Sequence, residues 1–440
     1  MEKVTIKVNE IDPILKIPRP TWLPKNWYKE NKNPFDYFSE LDRSFFEDEE
    51  GRERFNLHAL KFCDFEFTKN PTSNYFYVIS TVPFDFFEKR IFYRYIDDKV
   101  LSDVKKGKCK IVFYMDDDGH WGEKLPYFFD NMDIEQINFF TQKYNLKKDD
   151  VYFISHNCAL EDNSDNYNFT PITCGAFSNK LPEGERNKYS LYVNHHHCDY
   201  ITDNNFSYNL DEIEKTFLTY NNRCKPHRFY LMYSIIKNNL LKDSLYSYTG
   251  FDNSVRFEEN KTKINWYLVD KGRVLLNDNI LNDLQKITGT EIITSEINGF
   301  GGDYYGQFLQ IEDFKKTFVS VVTESTVGDN SIYFSEKTQK PLLAKHPFIL
   351  VASKGSLKKL KSYGFKTFDK WWDESYDECN YFIGRIDKIS EVMKDLHKKS
   401  KKELIQMREE MKEVLLHNHN LLQTYSTTAI CDVLKNIKFS

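Results

Sequence analysis

The stretch YFSEKTQKPLLAKHPFILV, residues 333–351, joins a polar beginning to an apolar end. Ser335 is a residue type that accepts hydrogen bonds from the first backbone N–H groups of a helix, so we expect a helix to begin at Glu336. Pro341 cannot donate a backbone hydrogen bond, which keeps that helix short or kinked. The apolar run HPFILVA, residues 346–352, is typical of a buried strand. A short helix that leads directly into a buried strand predicts an α/β domain.

The same alternation of strands and helices occurs in both halves of the chain. In the first half, strands are predicted at 75–81, 108–115 and 150–156, with a helix over 123–144. In the second half, strands are predicted at 215–220, 317–324 and 346–352, with a helix over 229–241. From 386 onward the pattern is helical, and Ser400 with Glu403 forms a predicted capping box.

These elements predict the fold class and the domains. The fold class is α/β, with two Rossmann-like domains that each carry a mostly parallel sheet, followed by a C-terminal helical tail. The predicted boundaries are 1–210 for the N-terminal domain, 211–385 for the second domain and 386–440 for the helices.

Composition narrows the class of protein. The 440 residues are 40% hydrophobic and 29% charged, which is ordinary for a globular protein, and the net charge of -5 argues against general electrostatic binding of nucleic acid. Eight cysteines without a C-x-x-C pair indicate reduced thiols. The charged N-terminus is unlike a signal peptide, and no apolar run reaches the ~18 residues of a membrane span. We therefore expect a cytoplasmic protein, in a cell or in the cytoplasm of an infected host.

Three groups of polar side chains lie near the ends of the predicted strands of the second half, and open α/β sheets bind ligands beyond the carboxyl ends of their strands. The first group, in NNRCKPHR, consists of Arg223, Lys225, His227 and Arg228 at the start of a predicted helix. Cations there oppose the helix dipole unless an anion is bound, and a diphosphate would resolve the conflict. The alternative is a basic surface turn.

Two further groups complete this edge of the sheet. Glu324 ends the predicted strand 317–324, either close to the sugar or ribose of a nucleotide or as an ordinary turn carboxylate. Glu336 could accept hydrogen bonds from ribose hydroxyls, while Lys337 and Lys340 could contact phosphate oxygens. The alternative for this group is a surface helix whose Glu336–Lys340 pair contributes ~0.3–0.5 kcal/mol.

Several segments of the second half resemble one known group of enzymes. The stretch 333–351 resembles the donor-binding signature of α-1,3-fucosyltransferase-like enzymes, in which Thr/Ser-Glu-Lys begins a helix before a Pro-aliphatic strand. It is more similar still to viral and phage glycosyltransferase-like proteins, which the chain also resembles in KTFLTYNNRCKPHRFYLM, GSLKKLKSYGFKTF, DESYD and Arg385. The resemblance covers about 215–385, and the N-terminal half is similar only in its general βα character.

This resemblance implies a fold, an activity and a set of site residues. It implies a GT-B fold, with two Rossmann-like domains that face each other across a cleft, and a nucleotide-sugar in the C-terminal domain. Glu336 would contact the ribose, and the diphosphate would lie among basic side chains. The implied donor-binding set is Arg223, Lys225, Arg228, Ser335, Glu336, Lys337 and Lys340.

The N-terminal half offers candidates for the remaining chemistry. Asp116 and Asp118 form a D-x-D after the strand 108–115, a spacing that in GT-A glycosyltransferases holds Mg²⁺ or Mn²⁺. In a GT-B arrangement the same turn would face the acceptor, and Asp118 or His120 could deprotonate its hydroxyl group. The predicted catalytic residues are Asp118, His120 and Glu324. NHHHCDY, residues 194–200, is interpreted as a polar loop rather than a zinc site, because neighbouring side chains seldom converge on one ion.

The leading hypothesis is a GT-B glycosyltransferase that moves a sugar from a UDP- or GDP-sugar to a hydroxyl group, with no metal and no cofactor beyond the donor. The acceptor would be a glycan, a protein or a hydroxymethylated base in DNA. One alternative is a non-catalytic nucleotide- or sugar-binding protein on the same scaffold. The other is a metal-dependent GT-A enzyme built on Asp116 and Asp118.

Overall fold

A computed structural model describes a large part of the chain. The described residues are 4–7, 65–68, 71–80, 96, 98–115, 132–155, 157–173, 208–221, 225–248, 253–290, 311–325, 327–328, 331–424 and 437–439. Residue contacts divide the chain into two compact units. Unit 1 comprises Met1–Ser178 and Ser426–Ser440, and unit 2 comprises Asn179–Tyr425.

Unit 1 is built on a six-stranded parallel sheet. Its strands are β1 (Val4–Lys7), β2 (Phe65–Thr68), β3 (Tyr75–Ser80), β4 (Cys109–Met115), β5 (Val151–Ser155) and β6 (Thr170–Thr173). The spatial order is β2-β1-β3-β4-β5-β6, and every pairing is parallel. Helix α1 (Asp98–Lys105) precedes β4, and helix α2 (Met132–Tyr144) connects β4 to β5. The predicted helix 123–144 is therefore confirmed from Met132 onward, and its first residues lie outside the described part.

The core of unit 1 is apolar with one buried ion pair. Phe113 of β4 packs edge-on against Phe140 of α2, with ring centroids 5.7 Å apart. Lys110 Nζ donates to Asp150 Oδ1 over 3.1 Å, and both residues are buried, so each charge has the partner that burial requires.

Unit 2 is built on a four-stranded parallel sheet. Its strands are β7 (Lys215–Asn221), β8 (Ser244–Tyr248), β9 (Thr317–Thr323) and β10 (Phe348–Val351), in the order β10-β9-β7-β8. The helices up to β10 are α3 (Pro226–Lys237), α4 (Asn253–Asp270), α5 (Asp278–Ile287), α6 (Ile311–Lys315) and α7 (Glu336–Leu343). All residues of β9 and β10 are buried, which suits the apolar sequence FILV of β10 and the mainly apolar sequence TFVSVVT of β9.

The strand order places a topological switch point between β7 and β9. The chain leaves β7 through α3 toward β8 on one side, and it leaves β9 through α7 toward β10 on the other side. Because the two connections diverge, a crevice opens at the carboxyl ends of β7 and β9, which is where open α/β sheets bind ligands. The polar groups predicted from the sequence follow these two strands directly.

The C-terminal helices pack onto unit 2. They are α8 (Ser356–Ser362), α9 (Phe382–His397), α10 (Lys401–Glu410) and α11 (Lys412–Thr424). Tyr230 of α3 donates to Asp387 Oδ1 of α9 over 2.8 Å. The predicted capping box at Ser400 and Glu403 is confirmed, but the helix that it begins ends at Glu410, with Met411 as its C-cap.

The predicted fold class is confirmed: α/β, with a parallel sheet in each of two units and helices at the C-terminus. The contacts divide the chain after Ser178, whereas the predicted boundary lies at 210, and they assign Ser426–Ser440 to unit 1. Helices α9, α10 and α11 belong to unit 2, where Tyr230 of α3 donates to Asp387 of α9 and Arg408 of α10 donates to Phe318 O of β9.

Arg408 of α10 provides a test of how the tail is held. Its guanidinium donates to Phe318 O over 3.0 Å and to Lys345 O over 2.9 Å, and it stacks on the Tyr208 ring at 4.5 Å. We expect Arg408→Ala to lower the free energy of unfolding by about 3 kcal/mol or more, because two carbonyl groups lose a charged donor. Urea denaturation followed by circular dichroism measures this loss.

The matched control is Lys286→Ala, which removes an exposed ion pair with Asp283 on α5. Its expected cost is within about 0.5 kcal/mol. Equal midpoints for Arg408→Ala and Lys286→Ala would contradict the anchoring role of Arg408.

Candidate functional site

The carboxylate of Glu324 is the centre of the polar network at the switch point. Glu324 follows β9 directly and is completely buried. Its Oε1 accepts from Ser335 N over 3.0 Å and from the Thr338 hydroxyl. Its Oε2 accepts from Ser335 Oγ over 2.5 Å and from Ser325 N over 3.2 Å. Each oxygen therefore receives one backbone N–H and one hydroxyl, which fills the acceptor capacity of a carboxylate.

Ser335 connects this carboxylate to the first turn of α7. It is the N-cap of the helix, as predicted, and its Oγ accepts from Lys337 N over 3.3 Å. The ammonium of Lys337 lies 3.3 Å from both Ser335 Oγ and Ser325 Oγ. The same hydroxyl groups thus fix the start of the helix and one predicted donor-binding lysine.

The first turn of α3 reaches the same place from β7. Lys225 is the N-cap, and a lysine side chain has no acceptor with which to cap a helix. Pro226, His227 and Arg228 follow, so the first turn holds no acidic residue. Positive charge at a helix N-terminus is unfavourable by itself, and an anion at this position would reverse the effect.

Three side chains of this turn contact the main chain after β9. Lys225 Nζ donates to Ser325 O over 2.8 Å, and His227 Nε2 lies 2.9 Å from Glu324 O. Arg228 Nη2 lies 3.5 Å from the same carbonyl oxygen. We call Glu324 and Ser325 together the glutamate turn: its carbonyl groups bind the start of α3, and its carboxylate binds the start of α7.

The pKa of His227 is shifted by burial and by the charges around it. Burial lowers the pKa of His227 well below its usual value of 6.5, and the charges of Arg228, Lys225 and Arg385 lower it further. The imidazole is therefore neutral, and because Glu324 O can only accept, Nε2 carries the proton. Positive charge from two separate places in the sequence, the start of α3 and Arg385, thus acts on one buried group at the end of the sheet.

Arg385 contacts the carboxyl end of β10 at the same edge of the sheet. Its side chain is almost fully buried, and it donates to Ala352 O and Cys379 O, each over 2.6 Å. Ala352 directly follows β10. Nearby, the carboxylate of Asp377 accepts from the first backbone N–H groups of α8, Leu357 N and Lys358 N. The segments DESYD and Arg385, which carried part of the resemblance, therefore lie at the carboxyl end of this sheet.

Lys340 lies one helical turn beyond this network. Its ammonium is 5.8 Å from the centre of the Tyr220 ring, near the end of β7. Tyr220 in turn donates to Asp313 Oδ2 over 2.6 Å. Lys340 thus packs beside β7, whereas Lys337 lies at the glutamate turn.

The structure brings together five of the predicted site residues: Lys225, Arg228, Glu324, Ser335 and Lys337. Glu336 begins α7 as predicted, and nothing is described of its side chain. The predicted residues Arg223, Asp116, Asp118 and His120 and the segment 194–200 lie outside the described residues. Their roles stay predictions.

Thr338, Ser325 and Arg385 were missing from the predicted site list, and His227 was named only as part of a basic turn. Thr338 occupies the third position of α7, where a side chain can turn back toward the cap, and this local signal could have identified it. Arg385 had only the sequence resemblance to mark it.

The described residues contain neither a candidate metal site nor a helix suited to cross a membrane. No group of three or more His, Cys, Asp or Glu side chains in the described ranges has a geometry that could hold a metal ion. None of the described helices combines the length and apolar character that crossing a bilayer requires.

Comparisons of the sequence with known proteins gave no match, either among protein families or among curated proteins. Comparison of the structure returned glycosyltransferases. A trehalose-6-phosphate synthase, OtsA, is 12% identical, with a TM-score of 0.36, and the match covers 88% of this chain and 77% of that chain. An α1,3-fucosyltransferase with GDP is 14% identical, with a TM-score of 0.32 and coverage of 96% and 90%.

A glycosyltransferase from Rickettsia africae ESF-5 is 10% identical, with a TM-score of 0.31, and the match covers 82% of this chain and 97% of that chain. Glycosyltransferases, an α1,3-fucosyltransferase among them, are thus among the structures that this chain resembles.

The neutral His227 predicts a pH dependence of stability. In the unfolded chain a histidine takes up a proton below about pH 6.5, whereas buried His227 stays neutral, so stability falls as the pH falls below that value. Replacement by glutamine in His227→Gln keeps an N–H donor and removes the titration. Between about pH 6 and 5, we expect its unfolding free energy to fall less steeply than that of the wild type, by up to ~1.4 kcal/mol per pH unit.

Chemical denaturation at several pH values measures the two slopes. Other buried histidines, His346 and His419, are present in both proteins and cancel in the difference. Identical slopes would contradict a neutral His227.

Proposed function

We propose that this chain is a GT-B glycosyltransferase that transfers a sugar from a nucleoside-diphosphate donor, a UDP- or GDP-sugar, to a hydroxyl acceptor. One observation carries the proposal: the buried cations Lys225 and Arg228 reach the carbonyl groups directly after β9, and buried Arg385 reaches the one directly after β10. A buried concentration of positive charge at a topological switch point suits a charged phosphate group. The resemblance of 215–385 to glycosyltransferase-like proteins supports sugar transfer as the chemistry.

The donor diphosphate would lie between the starts of α3 and α7. The first turns of both helices lie beside the glutamate turn. Their backbone N–H groups and positive dipole ends therefore favour an anion there. Lys337 adds a half-buried ammonium at the start of α7, and Lys340 adds a second one turn later. In this proposal Glu336, at the first position of α7, contacts the ribose.

The proposed reaction is a group transfer at the anomeric carbon. The bond from that carbon to the diphosphate oxygen breaks, and a bond to the acceptor oxygen forms. The nucleoside diphosphate leaves with the bonding electron pair, and a base takes the proton of the acceptor hydroxyl. Fixed positive charge accelerates such a step because negative charge develops on the leaving group. Asp118 and His120, which follow β4 in unit 1, are the proposed sources of the base.

The proposed acceptor is a glycan, a protein or a hydroxymethylated DNA base. The net charge of -5 favours the first two, since phosphate contacts dominate binding to DNA. The proposed enzyme needs no metal, because lysine and arginine side chains would neutralise the diphosphate.

Turnover of a nucleotide-sugar panel tests the proposal. The chain is incubated with UDP- and GDP-sugars and candidate acceptors, with and without EDTA, and released UDP or GDP is measured. The proposal expects release with at least one donor, undiminished by EDTA. Tight binding of a donor without release would instead identify a binding protein. Loss of activity in EDTA would favour a metal site such as Asp116 and Asp118.

Lys337→Ala tests the placement of the diphosphate. A hydrogen bond to a charged group contributes about 1.5–3 kcal/mol, so we expect affinity for the nucleoside diphosphate to fall about tenfold or more. Isothermal titration calorimetry with UDP and GDP measures the change. Lys398→Ala is the control: Lys398 is exposed and follows His397, which contacts Asp243 at the opposite end of the sheet, before β8. Equal affinities of the two variants would contradict the proposed placement.

A further inference from the structure

The glutamate turn is contacted by both helices that begin at the switch point. Its main-chain carbonyl groups accept from Lys225 and His227 at the start of α3. The carboxylate of Glu324 accepts from Ser335 and Thr338 at the start of α7. The two residues of the glutamate turn thus contact both helix N-termini, and Glu324 contributes to both sets of bonds.

We propose that Glu324 is a positioning residue for the donor site and does not act as a catalytic base. Its role is to hold the first turn of α7, with Lys337, beside the first turn of α3, with Arg228, so that both face one diphosphate. The proposal rests on the proposed function for the identity of the ligand. Its structural part, that Glu324 holds the start of α7, can be measured separately.

The hydrogen bonds of Glu324 argue against the role of a base. A base must accept a proton from the acceptor hydroxyl at hydrogen-bond distance. All four acceptor positions of this carboxylate are filled by Ser325 N, Ser335 N, Ser335 Oγ and the Thr338 hydroxyl, and the side chain has no exposed surface. The predicted catalytic role of Glu324 is thus replaced here by a role in positioning α7.

The pattern of donors also makes the carboxylate difficult to replace. A glutamine amide would present its NH₂ group to one pair of donors, whichever way the amide is turned. A hydroxyl can rotate to accept from that NH₂ group, but a backbone N–H cannot. Because each oxygen of Glu324 binds one backbone N–H, Glu324→Gln leaves either Ser335 N or Ser325 N facing another donor.

The experiment compares Glu324→Gln with Glu374→Gln in the full chain. Glu374 is a half-buried residue whose carboxylate accepts one backbone N–H, from Phe368, and one threonine hydroxyl, from Thr367, and lies 3.4 Å from Lys361 Nζ. It binds the segment before α9 and has no bond to α7. Three quantities are measured for each protein: amide hydrogen exchange of a peptide covering 335–343, the dissociation constants of UDP and GDP, and the pH profile of turnover.

For Glu324→Gln we expect exchange in 335–343 to become about tenfold faster or more, because a hydrogen bond to a charged group is lost. Nucleotide affinity is expected to fall by a similar factor, while the rate at saturating donor and the acid limb of the pH profile change little. Glu374→Gln should keep the wild-type exchange in 335–343 and the wild-type affinity, even where its thermal stability falls equally.

The opposite result would overturn the inference. Unchanged affinity, unchanged exchange and a rate at least a thousandfold lower, with loss of the acid limb, would identify Glu324 as the base. If the wild-type chain binds no nucleoside diphosphate, the proposed function fails, and the exchange comparison alone decides whether Glu324 holds α7. Should Glu324→Gln not fold, Thr338→Val removes one donor and should give the same changes, a few-fold in size.

Discussion

The four hydrogen bonds that the buried carboxylate of Glu324 accepts are the interaction on which the second unit's site depends. A buried carboxylate is costly unless donors surround it, and here the donors come from Ser325, the residue after Glu324, and from the N-cap and first turn of α7. The start of α7 is therefore fixed to the end of a fully buried strand. Because α3 binds the carbonyl groups of the same turn, the rigid sheet determines the position of both helices.

Charge is distributed around this turn in a consistent way. Lys225 and Arg228 come from α3, Lys337 from α7 and Arg385 from α9, so three helices supply positive charge to one edge of the sheet. Their described partners at that edge include carbonyl and hydroxyl oxygens, which are neutral. Burying several cations beside neutral oxygens costs free energy, and a bound anion among them offsets that cost. Burial lowers the pKa of His227, and the same positive charges lower it further.

Helix caps and strands depend on residues close together in the sequence, and these features could be predicted from it. The N-cap at Ser335 and the capping box at Ser400 follow from short spacings, and β7, β9 and β10 of unit 2 were predicted within about two residues. The strand β8, with the partly polar sequence SLYSY, was not predicted. The sequence did not predict that Glu324 would turn inward to bind Thr338, fourteen residues later, because tertiary packing decides that contact. The packing of α9 on α3 likewise depends on a contact between residues far apart in sequence, Tyr230 and Asp387.

The most direct test of the central claim is a crystal structure of the chain grown with the nucleoside diphosphate that it binds most tightly. The account predicts electron density for the two phosphate groups at the carboxyl ends of β7 and β9, within hydrogen-bond distance of Lys337 and of the first turn of α3. It also predicts that the bonds from Glu324 to Ser335 and Thr338 are unchanged. A nucleotide bound elsewhere, with this edge of the sheet filled only by water, would contradict it.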